Sequence, residues 1–461
     1  MITTANSKLW RNRDFLLLWS GQAVSVLGTK ISNLALPLLV LATTHSAVQA
    51  GLITSARMIP YLLLGLPAGV LVDRWNRKTA MIICDLARGV ALGAVPVAWA
   101  FGHLSLVLLY AVALVQGTAF VFFNVAEMAC LPNVVPREDL PQATAMDSVA
   151  GSAGSLVGPG LAGIIISAAR TTAAGDVLAY LIDALTYLAS VVSLLFIRVP
   201  FQVDREETPK LSLVSEVKAG IRFLWADGRL RTLALTSWAL SFLYAPVPLA
   251  MIVLAKDILH ASPRMIGLIF SLSAIGGLIG AAVATRLKSH LSFGAVIIGS
   301  VAAQALVTPL VGLALSPWML TCGWAIAFMM DPIFSMASVS YRLATTPDDM
   351  RGRVHSIYRM GGYGAEPLGT ALGGLCLGWV GPRAEILAVA AGVGLCAIAL
   401  SFSKLRATGW PGLSEDHQHP HKHERLEHSH AHTPDDNHQH KNGVDDESVE
   451  PHTKKHVQDP M

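Results

Sequence analysis

The stretch FLLLWSGQAVSVLGTKISNLALPLLVLA, from Phe15 to Ala42, runs for 28 residues with one charge, Lys30. An apolar run longer than about 18 residues is long enough to cross a bilayer as a helix, and longer than a core helix needs. Similar runs recur along the chain. They predict twelve spans at roughly 15–42, 47–72, 79–101, 104–130, 142–168, 175–198, 230–255, 265–287, 291–314, 318–341, 355–379 and 383–404. Composition agrees: charged residues make up 14% of the 461, against about 25% in a soluble chain. The fold class expected is an all-α polytopic membrane protein.

Charge sets the topology. Lys8, Arg11 and Arg13, then Arg74, Arg77 and Lys78, then Arg137, then the cluster from Arg205 to Arg231, fall in alternate loops. Arg286, Lys288, Arg351, Arg353, Lys404 and Arg406 continue the series, while the opposite loops offer little beyond Arg170, Lys256, Arg264 and Arg383. Basic loops stay in the cytoplasm, so both termini are placed there. The polar start, residues 1–14, reads as a cytoplasmic stub rather than a signal peptide. The five cysteines lie in or beside apolar runs without a C-x-x-C pair, which argues against a disulfide framework or a thiolate zinc site.

The longest loop before the tail divides the spans six and six, giving halves at 15–198 and 230–406 around a linker at 199–229. In that linker Leu213, Val217, Ile221, Leu224 and Trp225 share a helical face. They predict an interfacial helix or an amphipathic linker packed on the bundle. The halves echo each other: GLPAGVLVDR begins at Gly65 and GLIGAAVATR at Gly277, and VPREDL at Val135 pairs with TPDDMR at Thr346. Such parallel repeats mark secondary transporters. No phosphate-cradling G-x-x-x-x-G-K-S/T loop, nucleophile elbow or H-E-x-x-H occurs, so neither a built-in ATPase nor an enzyme is expected.

The loop GVLVDRWNRK, Gly69 to Lys78, resembles the signature loop of the major facilitator superfamily: a glycine, an acid, then a basic cluster. The downstream MIICDLAR, LPNVVPREDLPQATAM and MRGRVHSIYRMGG look like the efflux branch of that superfamily, and the resemblance covers nearly everything from Arg13 to Arg406. It implies two six-helix pseudo-repeats in the major facilitator fold. It also implies a latch for the outward-facing state built from Gly69, Asp73, Arg74, Arg77 and Lys78, with Asp85 and Arg88 in the same charge relay. Gly69 would let two helices approach, and Asp73 would meet a helix N-terminus or an arginine across the seam. The second copy has Thr285 where Asp73 would fall. In span one the chain reads LGTK, with Thr29 and Lys30 where many relatives carry an acid, so a proton-coupling role for that acid does not transfer.

Ionisable residues in mid-span are costly and face a cavity or one another. Lys30, Arg57, Asp183, Asp331 and Glu366 are such residues, with Glu127 and Asp147 nearer the span ends. Asn124 and Glu127, three apart, share a face. The candidate translocation or proton site is therefore Lys30, Arg57, Asn124, Glu127, Asp183, Asp331 and Glu366, with Asp331 and Glu366 leading. Each acid could equally be a structural ion pair with Lys30, Arg57 or Arg359, and Asp183 leans that way.

From Ser414 onward eleven acids face five basic residues, and nine histidines gather between residues 415 and 440: His417, His419, His421, His423, His428, His430, His432, His438 and His440. Pro420, Pro434 and the high charge predict a disordered cytoplasmic tail over 407–461. Imidazole with carboxylate suits Ni(II), Co(II), Zn(II) or Cu(II), and the lack of thiol argues against Cu(I). An exporter with such a tail resembles the bacterial nickel-resistance permeases. That resemblance implies secondary-active efflux of Ni(II) from the cytoplasm, by proton antiport, through the bacterial inner membrane. The partners would be a divalent metal ion, protons and the bilayer, with no nucleic acid, no required cofactor and a monomeric state. Two further readings stand beside it. One is an exporter of organic solutes, drugs or siderophores, with Lys30 and Arg57 meeting an anionic substrate and a regulatory metal-binding tail. The other is a metal sensor that moves nothing.

Overall fold

The computed structural model describes residues 8–202, 213–410, 417–423 and 426–432. The first six helices are α1 (Arg13–Thr44), α2 (Ala47–Arg74), α3 (Arg77–Ala100), α4 (Leu106–Val134), α5 (Leu140–Ala168) and α6 (Thr172–Phe196). A shorter helix, α7 (Leu213–Ala226), precedes the second set. These are α8 (Gly228–Tyr244), α9 (Val247–Val253), α10 (Pro263–His290), α11 (Phe293–Gly312), α12 (Pro317–Thr345) and α13 (Asp348–Ser401). Among the described residues eleven helical segments are long and apolar enough to cross a membrane. The last of them is two helices joined at Gly381, where φ is 79°. The chain therefore crosses twelve times, as its apolar runs predict.

The helix starts were written in the sequence as capping residues. Asn12, Ser46, Asn76, Ser105, Thr171, Ser262, Ser292 and Ser316 each accept a backbone N–H two or three positions into the following helix, satisfying a donor that the helix leaves open. One span differs from the expectation. The stretch read as a single helix over 230–255 breaks after Tyr244 and resumes as α9, ending in a π-helical turn at Leu254–Ile258. Pro246 and Pro248 lack the N–H that an unbroken helix needs.

Each half packs within itself, α1 against α6 and α2 against α4 in the first, α10 against α12 and α11 against α13 in the second. The halves meet through α2 with α13 and α5 with α10. Under the repeat read from the sequence, α2 matches α10 and α5 matches the first part of α13. The two contacts are thus one contact made twice, as a two-fold relation between halves requires. Both are tight at the end of the bundle away from the termini. A Cβ on Gly51 would lie 2.6 Å from Gly374 Cα, and one on Gly267 would lie 3.0 Å from Gly163 Cα. Without side chains in the way the backbones close on each other, which is how helices associate where lipid removes the hydrophobic drive. Ser55 Oγ donates to the Pro367 carbonyl at 2.7 Å, and the Gly160 N–H donates to Ser271 Oγ at 2.8 Å. At the other end, where α1 begins and α12 ends, no glycine among the described residues would bring a Cβ against the backbone of the opposite half, and Gly69, Gly151 and Gly352 have no neighbouring atom within 4 Å of where a Cβ would sit. The bundle is closed at one end and parted at the other.

The linker helix α7 lies against the second half. Leu224 is fully buried, and a Cβ on Gly220 would come within 2.5 Å of Ile357 Cδ1. The tail forms a separate unit from Gly412 onward. Among its described residues β1 (His417–His423) and β2 (Leu426–His432) form an antiparallel hairpin, and the rest of the tail expected to be disordered lies outside the described residues. Pro420 sits opposite Ser429 on a two-stranded ribbon, where each strand has a free edge that needs no proline N–H.

Candidate functional site

Two cavities lie inside the bundle, one in each half, each with a volume of about 370 Å³. Met58 of α2 and Glu366 of α13 line both, so they are two lobes of one space at the seam between halves.

The lobe in the first half holds the cations. Lys30 on α1 is half-buried, and its stem crosses α5 where a Cβ on Gly158 would fall 2.5 Å from its own Cβ. Arg57 on α2 donates through Nη1 to Asn33 Oδ1 of α1. Asn33 is one turn from Lys30, so ammonium and guanidinium enter the same corner. Among the described residues neither is in an ion pair. Arg88 also lines this lobe, but its charge is matched. Asp85 lies 3.4 Å from it, and Asp85 accepts Ser190 Oγ at 2.6 Å. The Arg88 guanidinium stands 4.4 Å over the Tyr187 ring, a cation–π contact. Asn124 and Glu127 line the lobe nearer the parted end, about ten residues along α4 from the Arg57 contact at Gly117.

The lobe in the second half holds acids and rings. Asp331, just before Pro332 on α12, opens into it, and Glu366 closes its border with the first lobe. No lysine, arginine or histidine lines this lobe. Trp324 stacks on Phe328 with centroids 6.0 Å apart and meets Tyr244 at 6.3 Å. Tyr244 reaches the lobe because α8 stops there, a consequence of the proline break. Its hydroxyl shares a hydrogen bond of 2.5 Å with Thr308 Oγ1.

The candidates are not all gathered. Lys30, Arg57, Asn124, Glu127, Asp331 and Glu366 line the two lobes. Asp183 does not: it is buried between α1 and α6, where Thr186 Oγ1 donates to its Oδ1 at 3.2 Å. Asp147 is exposed near the start of α5, outside both lobes. The structural ion pairs weighed for these acids with Lys30, Arg57 or Arg359 do not form. Arg359 Nη2 donates instead to Tyr61 Oη at 2.8 Å, and Tyr61 stacks on Tyr363 with centroids 4.2 Å apart. That trio bridges α2 and α13, with Tyr61 and Tyr363 in the wall of the first lobe, and nothing in the sequence marks it, because aromatic residues in spans are ordinary. Nor does it mark Asp176 and Glu385, buried near the starts of α6 and of the second part of α13, with no hydrogen-bond partner for either carboxyl. Acids that close to a span start looked like loop charges.

The signature loop is fastened inside its own half. Asp73 pairs with Arg77 at 3.4 Å. Arg77 Nη1 donates to the Ala129 carbonyl at 2.9 Å, and Lys78 Nζ to the Ile197 carbonyl at 2.8 Å. Arg74 is exposed beside it. No bond crosses the seam from these residues among those described, and Gly69 meets no second helix, because this end of the bundle is parted. Asp85 and Arg88 form a separate pair deeper in α3 rather than a relay with Asp73. Of the nine candidate histidines from His417 to His440, seven lie on the described hairpin, and His438 and His440 lie outside the described residues.

The sequence profile of the transmembrane secretion effectors matches residues 5–431. The multidrug efflux pump Tap of Mycobacterium tuberculosis is 27% identical over 411 residues, covering 85% of this chain and 94% of the pump. Macrolide efflux protein A of Streptococcus pyogenes is 26% identical over 266 residues, covering 58% of this chain and 64% of that protein. Neither name concerns a metal, and the nickel resemblance rests on the tail. Among solved structures, a bacterial homologue of the iron transporter ferroportin in an inward-facing state aligns with a TM-score of 0.68 at 16% identity, over 86% of this chain and all of that one. At that identity the likeness is one of fold. The chain belongs to the transmembrane secretion effector family and is an efflux transporter of the major facilitator superfamily, not an enzyme.

Proposed function

We propose that the protein exports an organic, drug-like solute from the cytoplasm across the bacterial inner membrane in exchange for protons. The observation that carries this reading is the two-lobed cavity. Each lobe has room for a ring system, and its walls mix aromatic faces with a few polar and charged groups, the usual make-up of a small-molecule site. Among the described residues no three His, Cys, Asp or Glu side chains converge as a metal cage does. The multidrug and macrolide pumps among the relatives support the same reading. The parted end carries the start of α1, the end of the second half and the basic loops. With those in the cytoplasm, the cavity faces the side from which an exporter loads.

A second reading keeps the metal. Its support is the hairpin, where His417, His419 and His421 stand opposite His432, His430 and His428. In that reading the tail gathers Ni(II), Co(II) or Zn(II) and either passes it on for export or regulates transport of the organic solute.

Inverted membrane vesicles containing the protein test both. With an imposed proton gradient, a macrolide or a fluorescent dye is expected to accumulate, and a protonophore to abolish the accumulation. Gradient-driven uptake of radioactive nickel, with no organic solute moved, would transfer the function to the metal.

A further inference from the structure

The two lobes carry opposite and unmatched charge. In the first, Lys30 and Arg57 project into one corner with no acid paired to them, while the third cation, Arg88, is already matched by Asp85 at 3.4 Å. Two acids also line that lobe: Glu127 sits roughly ten residues, about 15 Å, along α4 from the Arg57 contact at Gly117, and Glu366 stands at the border with the second lobe. In the second lobe Asp331 and Glu366 face the cavity with no basic residue in the lining. Charges withdrawn from water without a partner are costly, so both corners ask for a counter-charge from what fills the cavity. A simple cation would serve Asp331 and Glu366 and leave Lys30 and Arg57 facing an apolar body. A simple anion would do the reverse.

Resting on the reading of the protein as an organic-solute exporter, we propose that its substrates are zwitterionic, with a carboxylate or similar anion held by Lys30 and Arg57 and a cationic amine held by Asp331 and Glu366. The guanidinium of Arg57 gives one donor to Asn33 and keeps the rest of its planar fork for an anion, the geometry that suits a carboxylate. The amine end meets Trp324, Phe328 and Tyr244, whose ring faces attract a cation while the acids neutralise it. The aliphatic middle of the solute would lie at Met58, the apolar side chain common to both lobes.

Three xanthene dyes with one ring system separate the charge classes: rhodamine B, a zwitterion at neutral pH; its methyl ester, a cation; and fluorescein, an anion. Binding to the purified full chain in lipid nanodiscs is read by fluorescence anisotropy, and accumulation in inverted vesicles by dye fluorescence. Rhodamine B is expected to bind about tenfold more tightly than either of the others. Lys30→Met is expected to erase the preference for the acid over its ester, and Lys30→Arg to restore it, which a folding defect would not do. Glu366→Gln is expected to weaken rhodamine B and the ester together and to strengthen fluorescein. Equal or tighter binding of the ester by the unaltered protein would overturn the zwitterion assignment. Gradient-driven uptake of that ester would then leave the exporter reading standing. Failure of all three dyes to bind or accumulate would overturn the exporter reading, and this assignment with it.

Discussion

Gly117 and Gly151 are the same residue type inside membrane helices, and the structure gives them opposite consequences. A Cβ on Gly117 would fall 1.9 Å from the Arg57 carbonyl oxygen, whereas nothing lies within 4 Å of one on Gly151. Gly117→Ala is therefore expected to push α2 from α4, costing about 1–3 kcal/mol and displacing Arg57. Gly151→Ala, relieved of glycine's backbone entropy, is expected to gain up to about 1 kcal/mol. Unfolding midpoints of the two variants in detergent, with dye binding alongside, check both; equal effects would show that packing does not distinguish the sites. No sequence feature separates these two glycines, because the difference lies in which helix face meets a neighbour. The same limit applies to the acids. Asp183, Asp331 and Glu366 all read as mid-span carboxylates, and that much was legible. Which of them faces the cavity depends on helix rotation, and rotation is fixed by partners far away in the chain. Asp183 turned towards α1, into space that Gly28 leaves open, 2.5 Å from where a Cβ would be.

Elements were more legible than residues, because a span is specified by its own length, apolarity and cap. The capping serines and asparagines stand at the helix starts, and the amphipathic pattern of the linker became α7. What the sequence hid was the break inside the seventh span, whereas the one at Gly381 falls where the apolar runs 355–379 and 383–404 part. Pro246 interrupts the seventh span, yet Pro37, Pro96, Pro132, Pro159 and Pro309 sit inside unbroken helices, so a proline in an apolar run does not by itself mark a break. Gly381 turns α13 at φ 79° with no neighbouring atom within 4 Å of where a Cβ would sit. Gly381→Ala thus meets no clash but must hold a positive φ with an extended ψ that glycine alone adopts readily, an expected loss of about 1–3 kcal/mol in the unfolding free energy of the solubilised protein. In the tail, charge and proline argued for disorder, but the spacing of His417, His419, His421 and His423 is also the period of a strand. In the hairpin's register His417, His419 and His421 pair with His432, His430 and His428, and His423 with Leu426. Equilibrium dialysis of the full chain against Ni(II) is expected to show most binding lost when those hairpin histidines become alanine and most retained when only His438 and His440 do. The reverse result would detach metal binding from the hairpin.

The whole molecule is arranged to open at one end at a time. Both inter-half contacts, α2 with α13 and α5 with α10, hold the end away from the termini, while the signature loop and its counterpart in the second half stand apart. The repeat legible in the sequence implied this two-fold pairing but not which end would be shut, since the sequence encodes both states of a transporter and a structure holds one. For export the shut end has to part. A Cβ on Gly378 would lie 2.6 Å from Val48 Cγ2, so two β-carbons at these positions come within the roughly 4 Å that a disulfide spans. Val48→Cys with Gly378→Cys, in a chain whose five native cysteines are replaced, is expected to cross-link on mild oxidation. The oxidised protein is expected to bind dye through the parted end as well as the reduced protein does, yet to move none in vesicles, with a reductant restoring transport. Loss of binding on oxidation would instead mean that the cross-link distorts the lobes. Full transport by the oxidised form would mean that the substrate leaves by a route other than the seam between α2 and α13.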